Sequence, residues 1–243
     1  MTQACRKYAP ARRNELRLLQ NSLRPTSNRA FQTKGSMIFD FIRAVNKIFV
    51  GPGCTIALCL STLPARAEPF AFDKGYTAIT FSWMHLGLSR QSARFNGVEG
   101  TADLDAEHPE NSNVAVTIRS NSVQSGVDGF DRILRGPDYF NATTYPTITF
   151  RSTTVTRTGE KTADVDGELE ILGQSKPVTL HVTLNVMADH PSADANPAYT
   201  GKKVAGFSAK TTLSRSAWGM SRGTPLVSDD VDLNIETELV SKN

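Results

Sequence analysis

Between residues 77 and 240 apolar and polar side chains alternate in eight separate runs. Successive side chains of a strand point to opposite faces, so each run buries one face and wets the other. Residues 77–85 set Ile79, Phe81 and Trp83 on one face, and 91–105 set Val98, Ala102 and Leu104. Residues 113–120 contribute Val114, Val116 and Ile118, and 147–157 begin with Ile148 and Phe150. The run 162–171 opposes Ala163, Val165, Leu169 and Ile171 to Asp164, Asp166, Glu168 and Glu170. The run 178–188 opposes Val178, Leu180, Val182, Leu184 and Val186 to Thr179, His181, Thr183 and Asn185. Residues 203–214 give Ala205, Phe207, Ala209 and Leu213; residues 227–240 give Val227, Val231, Leu233, Ile235 and Leu239.

Turn-forming residues separate these runs, around Pro109, at Thr158-Gly159-Glu160, at Leu172-Gly173-Gln174 and across 191–201. One segment breaks the period. In 129–141 (GFDRILRGPDYFN), Phe130, Ile133 and Leu134 have helical spacing and Gly136-Pro137 ends the pattern. The expected fold is therefore all-β: eight antiparallel strands, with one short helix between strands three and four. Short connections favour an up-and-down order. The pattern fits a sandwich or a barrel, and the barrel is favoured because closure removes unpaired edges. An eight-stranded barrel is either filled by its own side chains or holds one small ligand. Gly97, Gly100, Gly167 and Gly206 are expected where strands bend or pack closely.

The first 67 residues have a different chemistry. They hold eleven basic side chains and only Glu15 and Asp40 as acids, together with all three cysteines. Arg43 and Lys47 flank an apolar run of thirteen, residues 48–60, followed by Ala65-Arg66-Ala67. A positive flank, a short apolar core and small residues at alternate positions read as a secretory signal, residues 37–67, cut between Ala67 and Glu68. The run is shorter than the roughly 20 residues that a membrane span requires, so the processed chain is not membrane-spanning. Residues 1–36 precede a suitable start at Met37 and read as an extension or transit-like segment. The expected location is periplasmic, and 68–243 form the working domain.

Processing changes the charge balance. The whole chain carries +3, whereas residues 68–243 hold 16 basic and 22 acidic side chains, a net −6. The basic character leaves with the leader, and with it the argument for nucleic acid. The domain has no cysteine, hence no disulfide, thiol nucleophile or Cys-based metal site. His85, His108, His181 and His190 lack the paired spacing of a zinc site. No Gly-x-Ser-x-Gly elbow or phosphate-cradling loop occurs. The reading assigns no metal and no catalytic residue.

Four stretches together resemble the YceI-like family of secreted lipid-binding proteins. The first runs from Phe81 to Phe95 through His85-Leu86-Gly87, with Gly97 and Gly100 beyond. The second is Leu134-Arg135-Gly136-Pro137-Asp138-Tyr139-Phe140 followed by Tyr145-Pro146-Thr147-Ile148-Thr149-Phe150-Arg151-Ser152. The third joins Asp166-Gly167-Glu168-Leu169 to Lys176-Pro177-Val178-Thr179-Leu180, and the fourth joins Gly206-Phe207-Ser208-Ala209 to Arg215 and Trp218-Gly219. The family commonly has a histidine where Tyr76 or Thr77 stands, and another where Ile133 stands.

The resemblance implies a lipocalin-like barrel with an apolar lumen that carries a polyisoprenoid or other long-chain amphiphile. No cofactor is expected beyond a bound polyisoprenoid or isoprenoid quinone. Homodimerisation is an expectation of the resemblance alone. By parity Phe81, Trp83, Phe150, Leu169, Leu180 and Phe207 face inward and are the candidate ligand contacts. Phe140 and Trp218 are candidates for closing one end, and His85 and Arg135 for meeting a polar head group. For Arg135 and Arg215 an ion pair with Asp138 or Asp229 is the competing role. Two other readings stay open: an accessory or enzyme acting on an isoprenoid quinone, and a stress-related barrel filled by its own side chains.

Overall fold

The computed structural model describes residues 67–242. The expected extension and signal peptide, up to Arg66, lie outside the described residues. The elements are β1 (Glu68–His85), β2 (Ser89–Phe95), β3 (Val98–Leu104), β4 (Asn113–Arg119) and β5 (Val123–Gln124). These precede helix α1 (Asp128–Arg135), after which come β6 (Thr147–Arg157), β7 (Thr162–Ile171), β8 (Gln174–Asp189), β9 (Lys203–Ser214) and β10 (Asp230–Ser241).

All pairings are antiparallel. The order runs β10-β9-β8-β7-β6-β4-β3-β1, and β10 then pairs with β1, closing the sheet. β2 and β3 pair with successive halves of β1, as in Phe81↔Ala93 and Phe70↔Ala102, and act as one strand broken at Asn96-Gly97. Counted that way the protein is an eight-stranded antiparallel barrel with one helix, in up-and-down order. The two-residue β5 is a spur beside β2.

The first strand begins at Glu68, earlier than the alternation predicts. Its interruption explains the difference. The pairing with β10 shifts between Phe72 and Thr77. There Asp73 Oδ1 accepts from the Gly75 N–H at 2.8 Å, and the Asp73 carbonyl accepts from Thr77 Oγ1 at 2.7 Å. Asp73-Lys74-Gly75-Tyr76 thus reads as a turn in sequence but is a large bulge inside one strand, four residues opposite the single Glu238 of β10.

Two further bulges reset parity. β8 gains a residue between Leu184 and Val186 against β9, so Val186 faces solvent, 51% exposed, and Met187 turns inward. The expected inward Val186 is thereby corrected. β6 gains one between Ser152 and Thr154, which brings Val155 to the interior.

α1 ends at Arg135, where Gly136-Pro137 was expected to stop it. The Gly136 N–H closes it on the Ile133 carbonyl at 3.0 Å, Pro137 follows, and the rest of the segment is turn. Asp128 and Asp131 stand in its first turn and Arg132 and Arg135 in its last, matching the helix dipole.

Close approach explains two glycines. A Cβ at Gly167 would lie 2.5 Å from the Phe150 ring, and one at Gly100 would lie 2.7 Å from the Phe72 ring. Each ring occupies the space that a side chain would take. Gly206 differs: its nearest neighbour would be 3.7 Å away, and it sits opposite the β8 bulge.

Candidate functional site

The inward faces of the barrel strands do not meet across the axis. They enclose a cavity of about 570 Å³, within the range of about 300–1,000 Å³ usual for small-molecule sites. Ile79, Val165, Leu180, Val182, Leu233 and Ile235 give its middle an apolar wall. Thr77 and Thr237 are polar exceptions, and they satisfy one another at 2.8 Å. Thr77 directs its own proton to the Asp73 carbonyl, so Thr237 is the donor. A ligand in this part would find little to hydrogen-bond and much to cover.

Aromatic side chains crowd the end where α1 lies. Phe81 and Phe95 stack at 5.3 Å between ring centroids, and Phe140 stands edge-on to both, at 5.7 and 5.2 Å. Trp83 meets Phe130 of α1 at 5.6 Å. Trp218 is buried and its Nε1–H donates to the Gln174 carbonyl at 3.0 Å, so its polar atom is already occupied.

Nine of the ten sequence-named candidates line the cavity: Phe81, Trp83, His85, Phe140, Phe150, Leu169, Leu180, Phe207 and Trp218. His85 ends β1 and is exposed at the helix end, at the mouth. Arg135 does not line the cavity. Its Nη2 donates to the Val123 carbonyl at 2.7 Å, and the same atom lies 3.7 Å from Asp131 Oδ2. Helical spacing turns Arg135 toward β5 and its own helix. Sequence reasoning left out Phe130, Ile133 and Tyr139, which also line the cavity from the helix segment. The helical spacing of Phe130 and Ile133 was the signal available for them.

The basic groups are used differently from the expected pairs. Asp138 pairs with Arg222 at 3.0 Å. Asp229 accepts from the Ser216 hydroxyl at 2.7 Å and the Ser216 N–H at 2.9 Å. These bonds hold its carboxyl below the usual range, with a smaller contribution from nearby Arg215. Arg215 itself is buried and donates to four neutral acceptors. Its Nε reaches the Ser228 carbonyl at 2.9 Å and its Nη2 reaches Thr224 Oγ1 at 2.9 Å and the Val227 carbonyl at 3.0 Å. Its Nη1 reaches the Met220 carbonyl. It clamps the loop between β9 and β10, so the expected ion pair gives way to a set of hydrogen bonds.

The opposite end is organised by Asp105. Its buried carboxylate accepts from the His108 N–H at 2.8 Å, the Glu107 N–H at 3.0 Å and Asn111 Nδ2 at 3.3 Å. The His108 bond is the largest cause of its lowered pKa. Phe70, Ala102, Ala205 and Leu239 pack as a second cluster near this end.

Among the described residues, no three His, Cys, Asp or Glu side chains are grouped to hold a metal ion. The four carboxylates of β7 project outward, and His181 bonds Asp164 at 2.7 Å on that outer face. Among the described residues, no helix is long and apolar enough to cross a membrane. The chemistry this arrangement supports is enclosure of an apolar body, with polar groups at the ends.

Known proteins share this arrangement. Residues 70–239 match the YceI-like domain family. A UPF0312 protein of Pseudomonas putida (strain W619) is 34% identical over 185 residues, 75% of this chain and 92% of the relative. Protein YceI of Shigella flexneri is 33% identical over 193 residues, 78% of this chain and 96% of the relative. A Campylobacter jejuni YCEI protein of known crystal structure is 29% identical. It superposes with a TM-score of 0.58 over 66% of this chain and 90% of that one.

Proposed function

The chain belongs to the YceI-like family, and on that premise we propose that it is a periplasmic binding or carrier protein. Its ligand is a polyisoprenoid or another long-chain amphiphile held in the lumen. The observation that carries this reading is the apolar cavity running between the two ends of the barrel. A barrel packed solid by its own side chains would leave no such space.

The energetics favour a long hydrocarbon. Burying one methylene is worth about 0.8 kcal/mol, so one isoprene unit contributes on the order of 3–4 kcal/mol. Two or three units give useful affinity after the cost of ordering ligand and protein. The head group then needs only a few polar contacts, and His85 and Arg222 on the cavity wall at the helix end offer them. The role is binding, and no reaction is assigned to any residue.

Denaturing mass spectrometry of an organic extract of the secreted protein is the test. A long-chain prenyl lipid in near-stoichiometric amount supports the reading. A protein that carries neither a prenyl lipid nor another long-chain amphiphile, and takes none up from dispersed prenol or fatty acid, refutes it.

A further inference from the structure

The helix end of the barrel differs from the rest of the surface. Among the described residues eight large apolar side chains are exposed. Six of them, Leu86, Leu88, Val127, Ile133, Tyr145 and Leu226, belong to connections at this one end. Leu88 is 82% exposed, Leu226 67% and Val127 62%. They come from the β1–β2 turn, the α1 segment and the β9–β10 loop, three pieces of chain far apart in sequence. The fold ties these pieces together. The Leu86 N–H donates to the Leu226 carbonyl at 2.7 Å, and Phe130 of α1 packs on Trp83 of β1. Ile133 is both exposed and part of the cavity wall, so at this residue the apolar rim meets the apolar lumen.

Charge follows the same axis. The connections at the helix end, 86–88, 125–146, 172–173 and 215–229, hold four arginines and four aspartates and are neutral. Those at the opposite end, 105–112, 158–161 and 190–202, hold five acids and two lysines, a net −3. In a domain of net −6, the apolar rim is therefore also the end least repelled by an anionic surface. Arg132 is exposed beside Ile133 and presents a cation there.

We infer that this rim docks on a lipid bilayer, with Leu88, Leu226, Val127 and Ile133 entering the headgroup region and the lumen opening onto the membrane. A contiguous exposed apolar patch marks a contact surface. Interfacial binding grows with the apolar area buried and with attraction to anionic lipid. The inference rests on the carrier reading and adds where the ligand enters. A long prenyl chain is nearly insoluble in water, and a mouth seated in the bilayer lets it move from one apolar medium to another.

The test uses the secreted protein and vesicles of phosphatidylethanolamine and phosphatidylglycerol loaded with geranylgeraniol. A Leu88→Asp, Leu226→Asp double variant is compared with Val186→Asp, which alters an exposed apolar residue on the barrel wall. The double variant should lose vesicle co-sedimentation and take up prenol from vesicles at least about ten-fold more slowly. Its equilibrium affinity for prenol dispersed without vesicles should stay within about two-fold, and Val186→Asp should behave as wild type in both assays. Wild-type uptake from vesicles by the double variant overturns the inference. So does a dimer, seen by sedimentation velocity, that the double variant abolishes, since the rim then covers a second copy. If dispersed prenol never binds, the polyisoprenoid form of the carrier reading fails, and vesicle co-sedimentation alone decides the docking.

Discussion

Replacing Arg215 by Met should weaken the closure of the helix end by an amount that the geometry sets. Methionine keeps a long unbranched stem and removes the charge and all four donations. The Met220 carbonyl belongs to a buried residue, and losing its partner costs about 1–3 kcal/mol. The acceptors on Thr224, Val227 and Ser228 lie on partly exposed residues where water takes over, so each forfeits roughly 0.5–1 kcal/mol. Release of a desolvated guanidinium offsets part of the loss. A net destabilisation of about 2–4 kcal/mol remains, which in a domain of this size lowers the melting temperature by roughly 5–15 °C. Thermal unfolding measures this, and limited proteolysis should show earlier cutting between residues 219 and 229. Arg215→Lys keeps the charge without the fork and should fall between the two. A Met variant that melts within about 2 °C of wild type, with its loop equally protected, would refute the claim that these bonds hold the loop.

Three further outcomes follow from other sites. Gly167→Ala should destabilise by about 2–3 kcal/mol, because its methyl collides with Phe150 and the Arg151 carbonyl, whereas Gly206→Ala should change stability by less than about 1 kcal/mol; chemical denaturation compares them. The Asp131 carboxyl is held below its usual pKa by the Ser125 hydroxyl and N–H, with help from Arg135. Its contribution is thus present above the unfolded value of about 3.9 and is lost as pH falls through the lower folded value, so Asp131→Asn should melt earlier than wild type at pH 7 and converge with it in acid. Affinity for prenols, read by titration calorimetry, should rise with each isoprene unit that the lumen encloses and level off once the chain outgrows it.

The strands and their inward faces were legible because alternation is imposed directly by the pleat. Phe81, Trp83, Leu169 and Leu180 needed only parity to be placed on the lumen. Parity fails where a bulge adds a residue, and nothing local marks the insertions in β8 and β6. Val186 therefore read as inward while Met187 and Val155 were passed over. The Asp73–Tyr76 bulge hid the first part of β1 because it uses turn chemistry inside a strand. Arg135 and Arg215 looked alike in sequence, each a basic residue in a recurring motif. Most of their partners are backbone carbonyls brought close by tertiary structure, and a carbonyl leaves no trace in the residue pattern. The cavity was not legible in the alternation, since one period describes a filled barrel and a hollow one equally well; only the family resemblance implied it.

The pairing of β1 with β10 joins residues from the two ends of the described chain, as in Phe70↔Ser241. Every other seam of the barrel forms between strands near in sequence, so this seam has by far the largest loop to close. It is made by β10, the last of the described strands, pairing back to the first. The other edge of β1 pairs with β2 and β3, so this one long-range seam raises the contact order of a fold whose remaining contacts are local. The lumen is enclosed only when this seam is made, so any affinity that depends on enclosure depends on the pairing of β1 with β10.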